Sequence, residues 1–207
     1  MNAGLGSLMN VKTGVLPEAT RARDSWDEPL LQIAQGVASL FDRYCNRTLA
    51  RTVDAVYETP GGVYAISLPA YPVEGDIVVE TRRAGETTWE DISESIEQVF
   101  PHSGLVEFSS IIGTRRDLLR VTYTGGFWFS TAEPGDAGQV MPDGAKALPV
   151  AVQSAWHLQI QAVLERNGIL KKGAVKSDED IDKLELMELD LVKQVKRTLD
   201  TFIRHGL

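Results

Sequence analysis

The chain has 207 residues, of which 43% are hydrophobic and 24% charged, and a formal net charge of −8. This composition is typical of one folded domain and excludes a wholly disordered chain. No apolar run approaches the length of a membrane span, and the single cysteine, Cys45, and three scattered histidines provide neither a disulfide nor a metal-ligand spacing. Residues 51–147 contain seven basic and fifteen acidic side chains, which account for the whole −8, and this predicts a solvated surface rather than one that grips phosphates.

The first 24 residues are expected to form a flexible N-terminal arm. Gly4, Gly6, Gly14 and Pro17 interrupt any regular period in this stretch. We therefore expect it to stay loose unless a partner orders it.

A helix is predicted over residues 25–46. Ser25 is a candidate N-cap, and Glu28 completes a capping box three residues later. Apolar side chains then recur at helical spacing as far as Tyr44. Cys45, at the end of this helix, is expected to pack rather than react, because no histidine or aspartate lies near enough in the sequence to activate it.

The period changes to two over residues 51–127, which predicts a series of short strands. Tight turn signals such as Pro60-Gly61-Gly62 separate these strands, so the sheet should be antiparallel. In the last strand, Leu119, Val121 and Tyr123 should face the core and the residues between them the opposite side. No βαβ unit is indicated, which argues against a doubly wound nucleotide-binding sheet.

Glycines and prolines then predict a long loop over residues 128–147. Phe127, Trp128 and Phe129 open this segment, and three adjacent aromatic side chains cannot all face one core. One interpretation is that one or two of them anchor the sheet edge. The other is that at least one docks on another protein chain.

Helical spacing returns over residues 148–168 and again over residues 177–205. The last segment is acidic at its start and basic at its end, an order that favours one long helix; two shorter helices with a kink near Leu189 are the alternative. The predicted fold class is therefore α+β: a helical bundle with an antiparallel β-sheet region inserted after the first helix, and a long C-terminal helix. Residues 25–207 are expected to form one domain.

No P-loop, dinucleotide fingerprint, nucleophile elbow or HExxH motif is present, so we expect no enzymatic activity and no cofactor. The alternative in a different class is a small hydrolase or sugar-binding module on the acidic sheet, with Trp89 and Trp128 as stacking platforms. That alternative requires a pocket with converging carboxylates of raised pKa.

The order of four short motifs resembles that of the head–tail connector (adaptor, or head-completion) proteins of long-tailed bacteriophages. The first helix ends in an aromatic, tyrosine and arginine pattern, and a strand pair leads to an Ile-x-Leu sequence followed by Pro-Val. A Val-x-Tyr-x-Gly-Gly-Phe strand end and a Leu-Pro helix start follow. These motifs are Phe41–Thr48, Ile66–Val73, Leu119–Phe127 and Leu148–Ala155.

This resemblance implies a structural virion protein at the neck, made in the host cytoplasm. It would form a homo-oligomeric ring of twelve copies beneath the portal protein. The ring would join the DNA-filled head to a stopper or tail-completion protein. It would also line a channel through which DNA passes without sequence-specific binding. No membrane is involved. A terminal segment would grip the portal, and here the C-terminal helix is the better candidate. The predicted contact residues are Lys193, Lys196, Arg197, Phe202 and Arg204. The alternative within the same class is another neck component, a stopper or tail-completion protein.

Overall fold

A computed structural model describes residues 2–132, 139–171, 174–175 and 190–204. The chain divides into two compact units. The helical unit comprises Met1–Cys45, Phe129–Met141 and Ala147–Ile203, and the sheet unit comprises Asn46–Trp128, Pro142–Lys146 and Arg204–Leu207.

Four helices and one short strand pair form the described part of the helical unit. The helices are α1 (Leu8–Val15), α2 (Asp27–Cys45), α3 (Val150–Arg166) and α4 (Lys193–Leu199), and the later strand pair is β10 (Leu170–Lys171) with β11 (Ala174–Val175). The largest fully buried side chains of this unit belong to Trp26, Trp156, Phe41, Leu5, Leu30, Ile33, Ile160, Leu164 and Leu199.

The N-terminal segment is not the loose arm that the sequence predicts. Ser7 caps α1 by accepting a hydrogen bond from the Asn10 backbone N–H at 3.1 Å, and Val11 is fully buried. Gly14, interpreted from the sequence as a helix breaker, instead lets α1 approach α3, since a Cβ there would lie 2.4 Å from Nδ1 of His157. The expectation of a flexible arm over residues 1–24 is therefore corrected: this segment contains a packed helix.

The helix predicted from residue 25 is confirmed as α2, although it begins two residues later. Asp24–Trp26 form a 3₁₀ turn, so Ser25 is not the N-cap residue. Trp26 is buried by this turn, and the apolar stripe of α2 faces the core as its spacing predicts. Cys45 is fully buried at the end of the helix, in agreement with a packing role.

The end of α3 has the hydrogen bonds of a Schellman motif. The Gly168 N–H donates to the Glu165 carbonyl and the Ile169 N–H to the Leu164 carbonyl, both at 2.9 Å. Gly168 has a φ of +71°, a conformation that glycine adopts without strain. The helix predicted over residues 148–168 thus ends at this glycine.

The C-terminal helix is shorter than the single helix predicted over residues 177–205. Residues 176–189, including the predicted kink near Leu189, lie outside the described residues. Asp190 to Val192 are not helical, and α4 begins only at Lys193. After Leu199 the chain continues as a 3₁₀ turn, Asp200–Phe202, and Ile203 is extended.

The sheet unit contains two antiparallel sheets. The four-stranded sheet has the order β1-β7-β3-β4 and the three-stranded sheet has the order β2-β6-β5. Their strands are β1 (Thr52–Pro60), β2 (Val63–Ser67), β3 (Val73–Arg82), β4 (Glu90–Asp91), β5 (Ile96–Phe100), β6 (Leu105–Ile112) and β7 (Leu118–Gly125).

The alternation predicted for the last of these strands is confirmed. Leu119, Val121 and Tyr123 in β7 are buried in the core of the sheet unit. The intervening residues, Arg120 and Thr122, are half-buried on the opposite face. The Tyr123 hydroxyl accepts a hydrogen bond from the backbone N–H of Ala70 at 3.0 Å, so its polar end is satisfied inside the core.

The loop predicted over residues 128–147 is closed by regular structure at both ends. Strand β8 (Phe127–Trp128) pairs with β9 (Lys146–Ala147) in a two-stranded ribbon. Residues 133–138 lie outside the described residues. With this ribbon, the α+β class with antiparallel sheets between the helices is confirmed. No helix in the described residues is long and apolar enough to cross a membrane.

We expect the stability of the helical unit to fall as the pH is lowered below about 6.5, the ordinary pKa of histidine. His157 Nε2 is 2.8 Å from the Asn10 side-chain oxygen, and burial lowers the pKa of His157. Because the unfolded chain takes up this proton more readily than the folded chain, folding free energy is lost as pH falls through the unfolded pKa. Urea unfolding of the wild type and His157→Gln between pH 5 and 8 would measure this dependence. An equal pH dependence in both proteins would contradict the prediction.

Candidate functional site

A glutamine in the middle of α3 fixes the point at which α4 begins. Gln159 is 2% exposed, and its Oε1 accepts the Val192 N–H at 2.9 Å while its Nε2 donates to the Asp190 carbonyl at 3.1 Å. The Val192 N–H is thereby satisfied in an extended conformation, which explains why the helix starts after it. Sequence reasoning did not identify this residue.

The other end of α4 is fixed by α2. The Tyr44 hydroxyl donates to the Asp200 carboxylate at 2.7 Å, and this hydrogen bond is the main reason why the pKa of Tyr44 is raised. Val195 and Leu199 are fully buried, one helical turn apart. One side of α4 is therefore packed in the core of the helical unit. Its opposite side is exposed and is the candidate surface for binding a partner protein.

The structure brings together three of the five predicted portal-contact residues. Lys193, Lys196 and Arg197 are exposed and neighbour one another on α4, at spacings of three and four residues. Phe202 is half-buried in the 3₁₀ turn that follows. We call Lys193, Lys196 and Arg197 the α4 basic face.

Arg204, the fifth predicted contact, lies in the sheet unit. Its guanidinium donates to the Ser67 hydroxyl at 3.0 Å and to the Ser67 carbonyl at 2.5 Å. An arginine held by two such hydrogen bonds has a role in binding the C-terminal segment to β2. It is not part of the α4 basic face.

The three aromatic residues of the predicted partner contact are all half-buried. The Phe127 ring is 5.3 Å from the guanidinium of Arg47, which also stacks on Tyr71 with its central carbon 3.3 Å from the ring centroid. Phe127 thus has an intramolecular packing role. Docking of Trp128 or Phe129 on another chain stays a prediction.

Most of the acidic side chains of residues 51–147 lie at the surface. Nine of these carboxylates are exposed: Asp54, Glu58, Asp76, Glu86, Glu90, Asp91, Glu94, Glu97 and Asp143. The buried Glu74 is neutralised by Arg51, whose Nε donates to both carboxylate oxygens at 2.9–3.0 Å. Exposed acids without such partners give this unit a solvated, negatively charged surface.

The geometry does not favour the hydrolase or sugar-binding alternative. Two guanidiniums lie over the Trp89 ring, that of Arg120 at 4.2 Å and that of Arg82 at 4.8 Å, where a sugar would have to stack. Hydrogen bonds lower the pKa of Asp91 and of Asp117, the opposite of the shift that an acid catalyst needs. The described residues contain no group of three or more side chains that could hold a metal ion.

No protein-family model and no curated protein matches the sequence. Chains of similar fold occur in solved structures. A chain from a structure of the neck of an empty gene transfer agent particle, computed with C6 symmetry, is 14% identical with a TM-score of 0.52, covering 88% of this chain and 80% of that one. A chain from the virion of a native gene transfer agent particle is 13% identical with a TM-score of 0.59, covering 100% of this chain and 93% of that one. The protein therefore shares its overall fold with chains of a gene transfer agent particle.

Proposed function

We propose that the protein is a structural component of the neck of a phage-like particle, located in the virion and without enzymatic activity. The observation that carries this proposal is the fold similarity to a chain of a gene transfer agent virion over the whole length of this protein. The neighbour from the particle neck supports the same location. The motif order that resembles head–tail connectors points independently, from sequence, to the same place.

Within the neck, we assign the protein to the adaptor position, as a ring of copies between the portal and a stopper or tail-completion protein. A ring of identical subunits needs two different, complementary surfaces on each copy, in a head-to-tail contact that closes by rotation. The ring of twelve copies follows from the connector resemblance. A stopper or tail-completion protein would have a similar structural role at a different level of the neck.

The α4 basic face is the proposed portal contact. Its three cations are exposed, while the opposite side of the helix is buried and held by Gln159 and Tyr44. A helix fixed at both ends presents its charges in a defined arrangement. Such pre-organisation lowers the entropic cost of binding, and complementary charge increases the association rate.

Reversing the charge of this face is expected to weaken portal binding by about tenfold or more, equivalent to about 1.4 kcal/mol, because the proposed contact requires an acidic surface on the portal and the variant would place carboxylates against it. The variant is Lys193→Glu, Lys196→Glu and Arg197→Glu, which leaves Val195 and Leu199 in place. Electron microscopy of the protein mixed with isolated portal rings, together with a titration of binding, would measure the effect.

The matched control changes the same number of exposed basic residues elsewhere: Arg43→Glu, Lys146→Glu and Arg166→Glu. Equal weakening in both variants would mean that net charge, and not the α4 basic face, governs binding. A wild-type protein that binds isolated tail tubes but not portal rings would reassign it to the stopper or tail-completion position. Binding to neither would contradict the neck proposal.

A further inference from the structure

The basic side chains of the acidic segment are concentrated at one end of the four-stranded sheet. Four of the seven basic residues in residues 51–147 are Arg82, Arg83, Arg115 and Arg116. Strand β3 ends at Arg82 opposite the start of β7, where Arg82 pairs in register with Leu118. The β6–β7 connection, which contains Arg115 and Arg116, is therefore brought next to the end of β3.

A cleft of about 310 Å³ lies between these two connections. We call it the arginine cleft. Its lining consists of Arg82, Arg83, Ala84, Gly85, Glu86, Arg116 and Leu118. Three guanidinium-bearing side chains in the lining, against Glu86 in the lining and Asp117 behind it, make the cleft electropositive within a unit that has many exposed acids.

Asp117 ties the two walls of the cleft together. Its Oδ1 accepts the Ala84 N–H at 3.0 Å, and its Oδ2 accepts the Thr114 N–H at 2.7 Å and the Thr114 hydroxyl at 2.9 Å. These bonds join the loop after β3 to the loop before β7. The carboxylate of Asp117 is thereby occupied in holding the backbone, and the two walls of the cleft are held together by hydrogen bonds.

Two of the lining arginines are available to a ligand. Arg83 and Arg116 are exposed, and among the described residues neither has a carboxylate within salt-bridge distance, although Arg83 is near enough to Asp117 to contribute to the lowered pKa of that carboxyl. Arg82 is half-buried with its guanidinium 4.8 Å from the Trp89 ring centroid, an arrangement that restricts its orientation. Guanidinium forks match the oxygens of a phosphate, which they can bind through two parallel hydrogen bonds.

We propose that the arginine cleft binds phosphate groups of a DNA backbone. The inference deepens the proposed neck function, because it supplies a contact between this protein and the DNA that passes it. The apolar side chains of the lining are the methyl group of Ala84 and the half-buried Leu118, so the cleft lacks the large aromatic or aliphatic anchor on which protein–protein contacts depend. An acidic protein segment is therefore the less favoured ligand.

The surrounding acids limit this contact to one place. Exposed carboxylates such as Asp76 and Glu94 repel the duplex from other parts of the sheet unit. With two or three phosphate contacts per copy, the logarithm of affinity should fall with the logarithm of salt concentration at a slope of about −2 to −3. Binding of this kind is weak, independent of base sequence and reversible.

The test is fluorescence anisotropy of a labelled DNA duplex titrated with the full-length protein from 20 to 200 mM salt. We expect Arg83→Gln with Arg116→Gln to reduce affinity at least tenfold at low salt and to make the salt slope shallower by about 2, one for each contact removed. Arg83→Lys with Arg116→Lys keeps both charges and should retain the slope. The control, Arg43→Gln with Arg166→Gln, removes two exposed arginines of the helical unit and should bind as the wild type does.

Several outcomes would overturn the inference. These are unchanged DNA binding by the double glutamine variant, an equal loss in the control variant, or no DNA binding by the wild type at 20 mM salt. Wild-type binding of polyglutamate or of inorganic phosphate without binding of duplex DNA would likewise reject DNA as the ligand. Portal binding is measured in parallel: loss of DNA binding with intact portal binding supports both proposals, whereas DNA binding without portal or tail binding would contradict the neck position alone.

Discussion

Replacing Gly126 with alanine is expected to lower the free energy of unfolding of the sheet unit by about 2–5 kcal/mol, the combined cost of a strained backbone and an overpacked site. Gly126 has a φ of +98°, and a Cβ there would lie 2.4 Å from the carbonyl oxygen of Ala50. That neighbour cannot rotate away, because it belongs to the backbone. The Gly126 N–H also donates to the Pro72 carbonyl at 2.9 Å, which fixes the segment from its other side.

Gly144→Ala is the matched control, because it separates backbone strain from collision. Gly144 also has a positive φ, +81°, but nothing lies within 4 Å of a Cβ at that position. Its substitution should therefore cost about 1–2 kcal/mol, the strain of the left-handed conformation alone. Urea unfolding of both variants would measure the difference. Equal losses would mean that the backbone at Ala50 can move aside.

Replacing Trp156 with alanine should cost the helical unit about 3–5 kcal/mol, the usual loss for a large aromatic side chain removed from a core. Trp156 is fully buried in α3, and its Nε1 donates to the Ala34 carbonyl of α2 at 3.0 Å. The alanine variant loses both the packing and the hydrogen bond.

Trp156→Phe tests the two contributions separately, since it keeps most of the packing and removes the donor. We expect a loss of about 0.5–1.5 kcal/mol, the net contribution of one hydrogen bond, because the Ala34 carbonyl lies inside α2 and still accepts its intrahelical N–H. Val150→Ala on the same helix is the control, because Val150 is 76% exposed and should change stability little. Urea unfolding followed by far-UV circular dichroism would measure all three variants. A Val150→Ala loss as large as that of Trp156→Ala would contradict this assignment.

Elements with a strong period were predictable from the sequence. The stripe from Leu30 to Phe41 in α2 and the alternation of Leu119, Val121 and Tyr123 in β7 both face the cores that their spacing indicates. In each case one face of the element is buried, and the spacing of the apolar residues in the sequence predicts both the type of element and the face that is buried.

Glycine was the main source of error at the N-terminus. Helix α3 packs so closely against Gly14 that a side chain at this position would collide with it. The sequence alone does not distinguish a glycine required by such a contact from one that breaks a helix. The start of α4 was missed for a related reason. Gln159 is a polar residue in a helical pattern, and nothing local shows that its amide will bond a segment more than thirty residues later.

The candidate surfaces were predictable in part. The exposure of Lys193, Lys196 and Arg197 agrees with their positions on the polar side of a helix. The arginine cleft was not predictable from the sequence. Its arginines come from two pairs that lie more than thirty residues apart, within a segment whose total charge is negative. Strand pairing between β3 and β7 brings those pairs together, and that register is a tertiary property.

The anchoring of α4 has a consequence for how the protein matures. Its contacts reach Tyr44 and Gln159, so it can dock only after α2 and α3 have been made and have found each other. The surface proposed to meet the portal is consequently formed only in copies whose helical unit has folded.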